Sequence, residues 1–252
     1  MYRFLVKYFT TPLVWTLIGL SSIIFFAFNI LVWLFTAWWD KELRLLHRYS
    51  IFWAMFYIRI NPFWKIDIQG EEHIRKGQPY IIISNHQSAM DIVLLYRLRM
   101  HFKWVAKREI FNIPVIGWNL WLGGRIAIDR TRLKGALKMV KEAQYHLNRN
   151  TSVLIFPEGT RSTDGQIKRF KDGAFVLAKK TEYPVLPVII DGSMEVIPKN
   201  GYTIKGKQVL KMRILPAILP DEYREKEIGQ FIEEVHTLCV NTHKQIAPQY
   251  YD

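Results

Sequence analysis

Residues 12–39 contain no Asp, Glu, Lys or Arg, and this uncharged stretch constrains the fold more than any other feature of the sequence. As a single α-helix it would be ~42 Å long, which exceeds the ~30 Å hydrocarbon core of a bilayer. It is too long for the apolar region of a secretory signal peptide, and no A-x-A cleavage signal follows it. A helix buried in a globular core is the alternative, but such helices rarely extend this far without a polar face. The stretch therefore indicates a retained membrane segment.

A second apolar stretch, residues 49–58, is rich in aromatic side chains and is separated from the first by a short charged segment. Two apolar helices joined by a charged turn can form a hairpin that enters one leaflet, whereas a true span by residues 12–39 is the alternative. The tryptophans that a hairpin would place at headgroup depth, where aromatic rings are favoured, are Trp38, Trp39, Trp53 and Trp64. We predict a membrane-embedded helical hairpin or anchor at residues 1–60 and a second domain at residues 61–252.

The formal net charge of +13 is concentrated in the middle third of the chain. Residues 97–180 hold 18 basic and 6 acidic side chains, whereas the flanking thirds are nearly balanced. An excess of this size indicates a phosphate-bearing partner, which could be nucleic acid, an anionic membrane or a phosphorylated small molecule. Half of the residues are hydrophobic, which excludes a disordered chain, and the single cysteine excludes a disulfide scaffold.

After Pro62 the sequence changes to short apolar runs separated by stretches of helical periodicity. The predicted strands are residues 64–68, 80–84, 102–106, 124–128, 152–156, 185–190 and 209–215. The predicted helices are residues 91–98, 132–147, 170–180 and 228–242. Strands that alternate with helices are typical of an α/β sheet covered on its faces. Because proline lacks an N–H group, Pro187 should place its strand at an edge of the sheet or lie at the start of a strand.

A polar segment that contains His86 and Asp91 follows one buried strand and opens a helix. On a single helix the two residues would be ~140° apart and would not share a face. If His86 is still in the turn, the Asp91 carboxylate can reach back to the imidazole and fix its tautomer. The other ring nitrogen would then be free to act as a general base. Helix capping by the neighbouring Ser and Asn side chains, with an incidental histidine, is the alternative.

Two further segments carry arginines close to strand ends. The segment Phe156-Pro-Glu-Gly-Thr-Arg-Ser162 follows a buried strand, and its Gly159 permits a tight turn. Its Arg161 offers planar donors suited to phosphate or carboxylate, although a solvated arginine in an ordinary turn would look the same. In Gly124-Arg-Ile-Ala-Ile-Asp-Arg130 the arginines alternate with apolar residues, so they could project from one end of the sheet or merely charge an edge strand.

Other chemistries find little support. The sequence has no Cys/His metal spacing, nucleophile elbow, P-loop or dinucleotide fingerprint, and Cys239 lies on the apolar face of the last helix. The remaining histidines have no acidic partner at a meaningful spacing and are interpreted as surface or core residues: His47, His73, His101, His146, His236 and His243.

Four blocks, in this order, resemble the glycerolipid acyltransferase family, in particular the 1-acylglycerol-3-phosphate acyltransferases. They are Asn85-His-Gln-Ser-Ala-Met-Asp91, Gly124-Arg-Ile-Ala-Ile-Asp-Arg130, Phe156-Pro-Glu-Gly-Thr-Arg-Ser162 and Val185-Leu-Pro187. The resemblance covers about residues 65–215, and the joint spacing of His-x4-Asp with Pro-Glu-Gly-Thr-Arg is highly specific. Ala127 departs from the family, which often has a bulky aromatic there; this could alter the fit of the acceptor or the acyl chain.

The resemblance implies a fold, a reaction and a set of site residues. The fold is a mixed α/β sheet flanked by helices, preceded by a membrane-associated two-helix segment. His86, oriented by Asp91, would take the proton from the free hydroxyl of a lysophospholipid, and the oxygen would attack the thioester of acyl-CoA or acyl-carrier protein without an acyl-enzyme. Backbone N–H groups near Gly159 could stabilise the oxyanion. The residues assigned to the phosphate or its surrounding turn are Lys107, Arg130, Glu158, Gly159 and Arg161.

The resemblance also implies partners and a location. The expected product is phosphatidic acid, with acylation of another lysolipid as the nearest alternative. No metal or other cofactor is expected beyond the acyl thioester, and no nucleic acid. A membrane location with the active site facing the cytoplasm is expected, at the inner membrane if the protein is bacterial, because acyl thioesters are cytosolic and a lone cysteine suits a reducing compartment. A membrane-anchored hydrolase that activates water with His86, and a non-enzymatic basic module, are the alternatives.

Overall fold

The computed structural model describes residues 11–129, 133–197 and 207–251. The strands are β1 (Trp64–Gln69), β2 (Ile81–Ser84), β3 (Phe102–Lys107), β4 (Ile126–Ile128), β5 (Ser152–Ile155), β6 (Val185–Asp191) and β7 (Gln208–Ile214). The helices are α1 (Thr11–Thr36), α2 (Arg44–Ile60), α3 (Met90–Leu95), α4 (Ile116–Leu122), α5 (Leu133–Leu147), α6 (Gly173–Thr181), α7 (Ser193–Val196), α8 (Pro220–Tyr223) and α9 (Ile228–Ile246). Short 3₁₀ helices cover Glu71–His73, Tyr96–Leu98, Arg108–Asn112 and Pro248–Tyr250.

The seven strands form one mixed sheet in the order β1-β7-β6-β2-β5-β3-β4. The five strands from β6 to β4 are mutually parallel, whereas β7 pairs antiparallel with β6 and parallel with β1. The predicted mixed α/β sheet is therefore confirmed. As a consequence of this order, the carboxyl ends of β2, β5, β3 and β4 lie side by side along one edge of the sheet.

Both faces of the sheet are covered, and strand alternation distributes the apolar side chains between them. In β2, Ile81 and Ile83 join the core under α5, α6 and α9, whereas Ile82 joins the core under α2 and α3. Helix α4 covers β3 and β4 on the same face as α2, where Leu120 packs against Ala106 and Trp104.

The N-terminal helices differ in their relation to this core. Helix α2 packs Ala54, Met55 and Ile58 into the core on its face of the sheet. The predicted boundary at residue 60 thus lies between α2 and β1, but α2 shares its apolar core with the α/β sheet. Helix α1 lies outside α2, and most of its side chains are exposed. It is the one helix among the described residues that is long and apolar enough to cross a membrane.

Aromatic and hydroxyl groups connect α1 to α2. The Phe25 ring stacks on Trp53 at a centroid distance of 5.3 Å, and the Ser21 hydroxyl lies 2.8 Å from that of Tyr57. Of the tryptophans expected at headgroup depth, Trp38 and Trp39 are exposed. The other two pack within the protein, Trp53 against Phe25 and Trp64 against the core beneath β1.

All seven predicted strands are present, but the expectation for Pro187 is wrong. Strand β6 lies inside the sheet between β2 and β7, and Pro187 is its third residue. The proline is accommodated because the regular pairing of β6 with β7 extends only from Val188 onward. The Pro187 carbonyl accepts the N–H of Leu215 at 3.0 Å. Leu215 follows the last residue of β7, so the N–H group that proline lacks would have faced a position where β7 has already ended.

Candidate active site

His86 lies in the turn between β2 and α3, and Asp91, the second residue of α3, reaches back to it, which is the arrangement that the sequence allows. Asp91 Oδ2 lies 2.7 Å from His86 Nδ1 and also accepts the backbone N–H groups of Gln87 and Ser88 at 2.7 and 2.9 Å. The Asp91 side chain is fully buried, so its carboxylate is stabilised by these three donors rather than by water. Because a carboxylate only accepts hydrogen bonds, His86 Nδ1 carries a proton in this arrangement.

The other ring nitrogen of His86 is positioned to act as a base. In the neutral ring it is unprotonated, and within the described residues Nε2 has no hydrogen-bond partner. The imidazole stacks on the Phe156 ring, with centroids 3.9 Å apart and planes 14° from parallel. One face of the ring is thereby covered, while 20% of the side chain stays exposed to a substrate.

The segment after β5 holds the backbone of His86 on both sides. Glu158 Oε1 accepts the N–H of His86 at 2.8 Å, and Ser162 donates its N–H to the His86 carbonyl at 2.7 Å. The second oxygen of Glu158 accepts the N–H of Lys168 at 3.0 Å. Burial raises the pKa of Glu158 to about 7, and the donors from Lys168 and His86 oppose that rise.

This position corrects the grouping of Glu158 with the phosphate-binding residues. Its carboxylate is only 4% exposed and is turned toward two backbone N–H groups. A carboxylate would repel a phosphate, so its interior orientation is the electrostatically favoured one. Glu158 therefore connects the Pro-Glu-Gly-Thr-Arg segment to the backbone of the histidine.

The turn at Gly159 also differs in part from the expectation. Its φ of +72° is a conformation that favours glycine, and a Cβ there would lie 3.0 Å from Lys171 Cε. The glycine is therefore needed, as predicted. Its N–H donates to the Phe156 carbonyl at 3.0 Å, however, and is not free to bind an oxyanion.

Two of the cationic residues predicted at the site, Lys107 and Arg161, follow strands that end at the same edge of the sheet. Lys107 is at the carboxyl end of β3, half exposed, and its Nζ lies 3.2 Å from Glu109. Arg161 is half-buried and immediately precedes Ser162, which holds the His86 carbonyl. Arg130 lies outside the described residues. Lys171, for which the sequence predicts no role, lies beside the Gly159 turn and donates its N–H to the Pro157 carbonyl at 2.9 Å.

Arg125 does not project from the active-site edge. It is buried at the amino end of β4, where it donates to the Phe102 carbonyl and to the Tyr96 hydroxyl, both at 3.0 Å. Beside it, Lys103 is also buried and donates to the Gly123 carbonyl at 2.8 Å; burial lowers the pKa of Lys103 to about 7. These side chains fix the start of β4, and neither contacts His86.

The side chains on either side of His86 are fixed by distant parts of the chain. Asn85 exchanges two hydrogen bonds of 2.8 Å with the backbone of Ile190 on β6. Gln87 Nε2 donates to the Gly165 carbonyl at 3.1 Å and lies 3.2 Å from His243 Nε2. This arrangement fixes the turn that contains His86 to the middle of the sheet and to α9.

The expectation that the other histidines have no acidic partner is wrong for two of them, because His243 Nε2 lies 3.9 Å from Asp191 Oδ1 and His146 lies beside Glu42. His243 is fully buried, and its Nδ1 lies 2.9 Å from the Tyr251 hydroxyl. The sequence held a signal for this burial, because His243 continues the apolar face of α9 one turn after Cys239. His146 does have an acidic partner, since its Nδ1 lies 2.8 Å from Glu42.

The segment that carries this geometry is similar to known proteins. The family model described as Acyltransferase matches residues 65–191, which is half of the chain and includes His86, Asp91 and Arg161. The chain belongs to the acyltransferase family. The match ends at the last residue of β6, so it covers the strands that carry the candidate site.

Two individual members of the family carry the same enzyme name. The chloroplastic 1-acyl-sn-glycerol-3-phosphate acyltransferase BAT2 of Brassica napus is 37% identical over 185 residues, which cover 73% of this chain and 53% of that protein. The 1-acyl-sn-glycerol-3-phosphate acyltransferase of Saccharomyces cerevisiae is 34% identical, over 72% of this chain and 61% of that protein. The chain thus spans little more than half the length of these relatives.

A solved structure shares the fold. The crystal structure of the 1-acyl-sn-glycerophosphate (LPA) acyltransferase PlsC from Thermotoga maritima superposes with a TM-score of 0.67 at 28% sequence identity. The alignment covers 91% of this chain and 97% of that one. The similarity therefore extends beyond the residues that the family model matches.

Proposed function

We propose that this acyltransferase transfers an acyl group from acyl-CoA or acyl-carrier protein to the free hydroxyl of 1-acyl-glycerol-3-phosphate and so produces phosphatidic acid. The names of its relatives support the acceptor. The observation that carries the reaction type is the contact of His86 with Asp91, which leaves one imidazole nitrogen available as a base beside a cationic edge of the sheet.

The reaction begins with His86 Nε2 accepting the proton of the acceptor hydroxyl. As that proton leaves, the oxygen forms a bond to the thioester carbonyl carbon, and the resulting imidazolium is stabilised by the buried Asp91 carboxylate. When the C–S bond breaks, the thiolate takes the proton from His86. Every proton is accounted for by His86, so the proposed reaction needs neither an acyl-enzyme nor a cofactor.

Binding of the acceptor phosphate is the proposed role of Lys107 and Arg161, together with Arg130. Lys107 is the last residue of β3, and Arg161 lies in the segment that follows β5. Strand β5 is adjacent to β2, which leads into His86. Arginine offers paired donors that match phosphate oxygens, and lysine adds a point charge. The basic middle third of the chain would also attract an anionic thioester carrier to this edge.

A membrane location is proposed from α1. Its exposed apolar surface has no covering layer among the described residues, and a lipid acceptor resides in the bilayer. An active site that faces the cytoplasm, at the inner membrane if the protein is bacterial, would give access to acyl thioesters.

An acceptor panel assayed with one acyl-CoA and one acyl-carrier protein tests the proposal. We expect phosphatidate formation and thiol release to require lysophosphatidate, and His86→Ala to abolish both while its membrane association is retained. Thiol release at the same rate without any acceptor would instead indicate a hydrolase. Preference for another lysolipid would retain acyl transfer but replace the proposed acceptor.

A further inference from the structure

Helix α4 and the loop before it expose an unusual amount of apolar surface. Residues 111–124 contain no charged side chain, although they belong to the strongly basic third of the sequence. Four large apolar side chains in this segment are 44–65% exposed: Ile113, Ile116, Trp118 and Trp121. Only Phe111 and Leu120 point into the core beneath them. An exposed apolar patch of this kind marks an interaction surface.

This patch is continuous with α1. The Trp118 ring lies 6.2 Å from that of Phe26, and Asn29 of α1 donates a side-chain hydrogen bond to Asn119 of α4. Asn29 is 1% exposed, so its side-chain NH2 group is satisfied by α4 rather than by water. The two helices therefore pack side by side, with their remaining apolar side chains pointing away from the sheet.

Among the described residues, the opposite face of the sheet shows no such surface. Of the 26 large apolar side chains that are exposed among the described residues, only five follow Gly124 in the sequence. Two of the five, Leu137 and Tyr145, lie on α5, across the sheet from α4. Isolated side chains of that kind are normal for a soluble surface, whereas the surface of α1 and α4 is contiguous.

We propose that α4 and residues 113–115 enter the lipid leaflet beside α1, with the Trp118 and Trp121 rings at headgroup depth. This inference rests on the membrane association proposed above. A lipid leaflet fits better than a protein partner, because a partner that covered α4 would also have to cover the adjoining exposed face of the 26-residue helix α1.

The arrangement has a consequence for the active site. Helix α4 leads through Gly123 and Gly124 directly into β4, which pairs with the end of β3 at Lys107. A leaflet contact at α4 therefore sets the distance between the bilayer and the cationic edge of the sheet, where Lys107 and Arg161 lie. An acceptor phosphate at the headgroup level would meet this edge while its acyl chain remained in the leaflet.

Site-specific fluorescence in proteoliposomes tests this contact. The full chain is reconstituted in phosphatidylethanolamine and phosphatidylglycerol, with an environment-sensitive thiol label at Trp121→Cys. Ile116→Cys serves as a second position in case the first variant folds poorly. Labelling is selective because Cys239, the only native cysteine, is buried. Leu137→Cys, 61% exposed on the other face of the sheet, is the matched control.

The label at position 121 or 116 should be quenched by spin-labelled lipid and protected from aqueous iodide, and the label at position 137 should show the reverse. Iodide quenching at 121 and 116 as strong as at 137 would overturn the proposal. So would protection from both quenchers, since it would indicate a protein cover. A Leu20→Cys label on α1 separates the leaflet contact of α4 from the membrane association of the protein as a whole. If the label at position 20 is also inaccessible to the spin-labelled lipid, the proposed membrane association itself is wrong.

Discussion

Replacing Asp91 by asparagine should reduce turnover sharply while the fold is retained. One carboxylate oxygen accepts three hydrogen bonds, from His86 Nδ1 and from the backbone N–H groups of Gln87 and Ser88. Hydrogen bonds to a charged group contribute about 1.5–3 kcal/mol each, and those between neutral groups about 0.5–1.5 kcal/mol. An amide oxygen in the same place would keep all three but lose about 1 kcal/mol from each.

The size of the kinetic loss follows from that difference. About 3 kcal/mol corresponds to a decrease in kcat of roughly 100-fold if all of it is lost from the transition state, where His86 is positively charged. If the asparagine NH2 group instead faces His86, the imidazole adopts the other tautomer and Nε2 can no longer accept a proton. In a Ser-His-Asp triad such a change costs about 10⁴-fold. We therefore expect kcat to fall between about 10²-fold and 10⁴-fold.

Phosphatidate formation at saturating acyl donor and acceptor would measure the effect, and thermal unfolding would verify the fold. Asp67→Asn is the matched control, because it removes a carboxylate that pairs with Arg213 at 2.6 Å on the distant β1–β7 edge of the sheet. The control should retain normal kcat. A folded Asp91→Asn protein with kcat within tenfold of the wild type would refute the role of this carboxylate.

Three other substitutions have expected outcomes. Because the pKa of Glu158 is raised to about 7, the folded state binds more protons than the unfolded state between pH 4.5 and 7. The free energy of unfolding should therefore fall by roughly 3 kcal/mol as the pH rises from 4.5 to 7. Glu158→Gln should flatten this pH dependence of stability in thermal melts, and an unchanged slope would contradict the prediction. His243→Ala should lower kcat because His243 contacts Gln87, which is next to His86. Cys239→Ala, one turn earlier on α9, should leave kcat unchanged. Additive losses of kcat in the Gln87→Ala/His243→Ala double variant would argue against an effect that passes through Gln87. Arg161→Ala should raise the KM for lysophosphatidate far more than that for the acyl donor, and the opposite pattern would reassign the phosphate site.

The strands could be predicted from sequence because their signals are local. Apolar runs such as that at Ile81–Ser84 identify buried strands wherever they pair, and the pairing of His86 with Asp91 spans only five residues. The order of the four motif blocks was equally visible, since each block is a short continuous segment of the sequence. Helix α4 was missed because Pro114, Gly117 and Gly123 obscure its short periodicity.

The long-range contacts could not be predicted in this way. Nothing in the sequence near residue 158 shows that this glutamate hydrogen-bonds the N–H of a histidine 72 positions earlier. The burial of Arg125 and the central place of Pro187 depend on the strand order, which periodicity does not determine.

By itself, the sequence determined that the chain has an uncharged helix of membrane length, an α/β sheet and a histidine–aspartate pair at the end of a strand. Only the tertiary structure decided that α2 shares the core of the sheet, that Glu158 faces inward, and that α4 lies beside α1. The physical reason is the range of the forces involved. Backbone conformation and periodicity depend on neighbouring residues, whereas burial and hydrogen-bond partners depend on which distant segments the sheet order brings together.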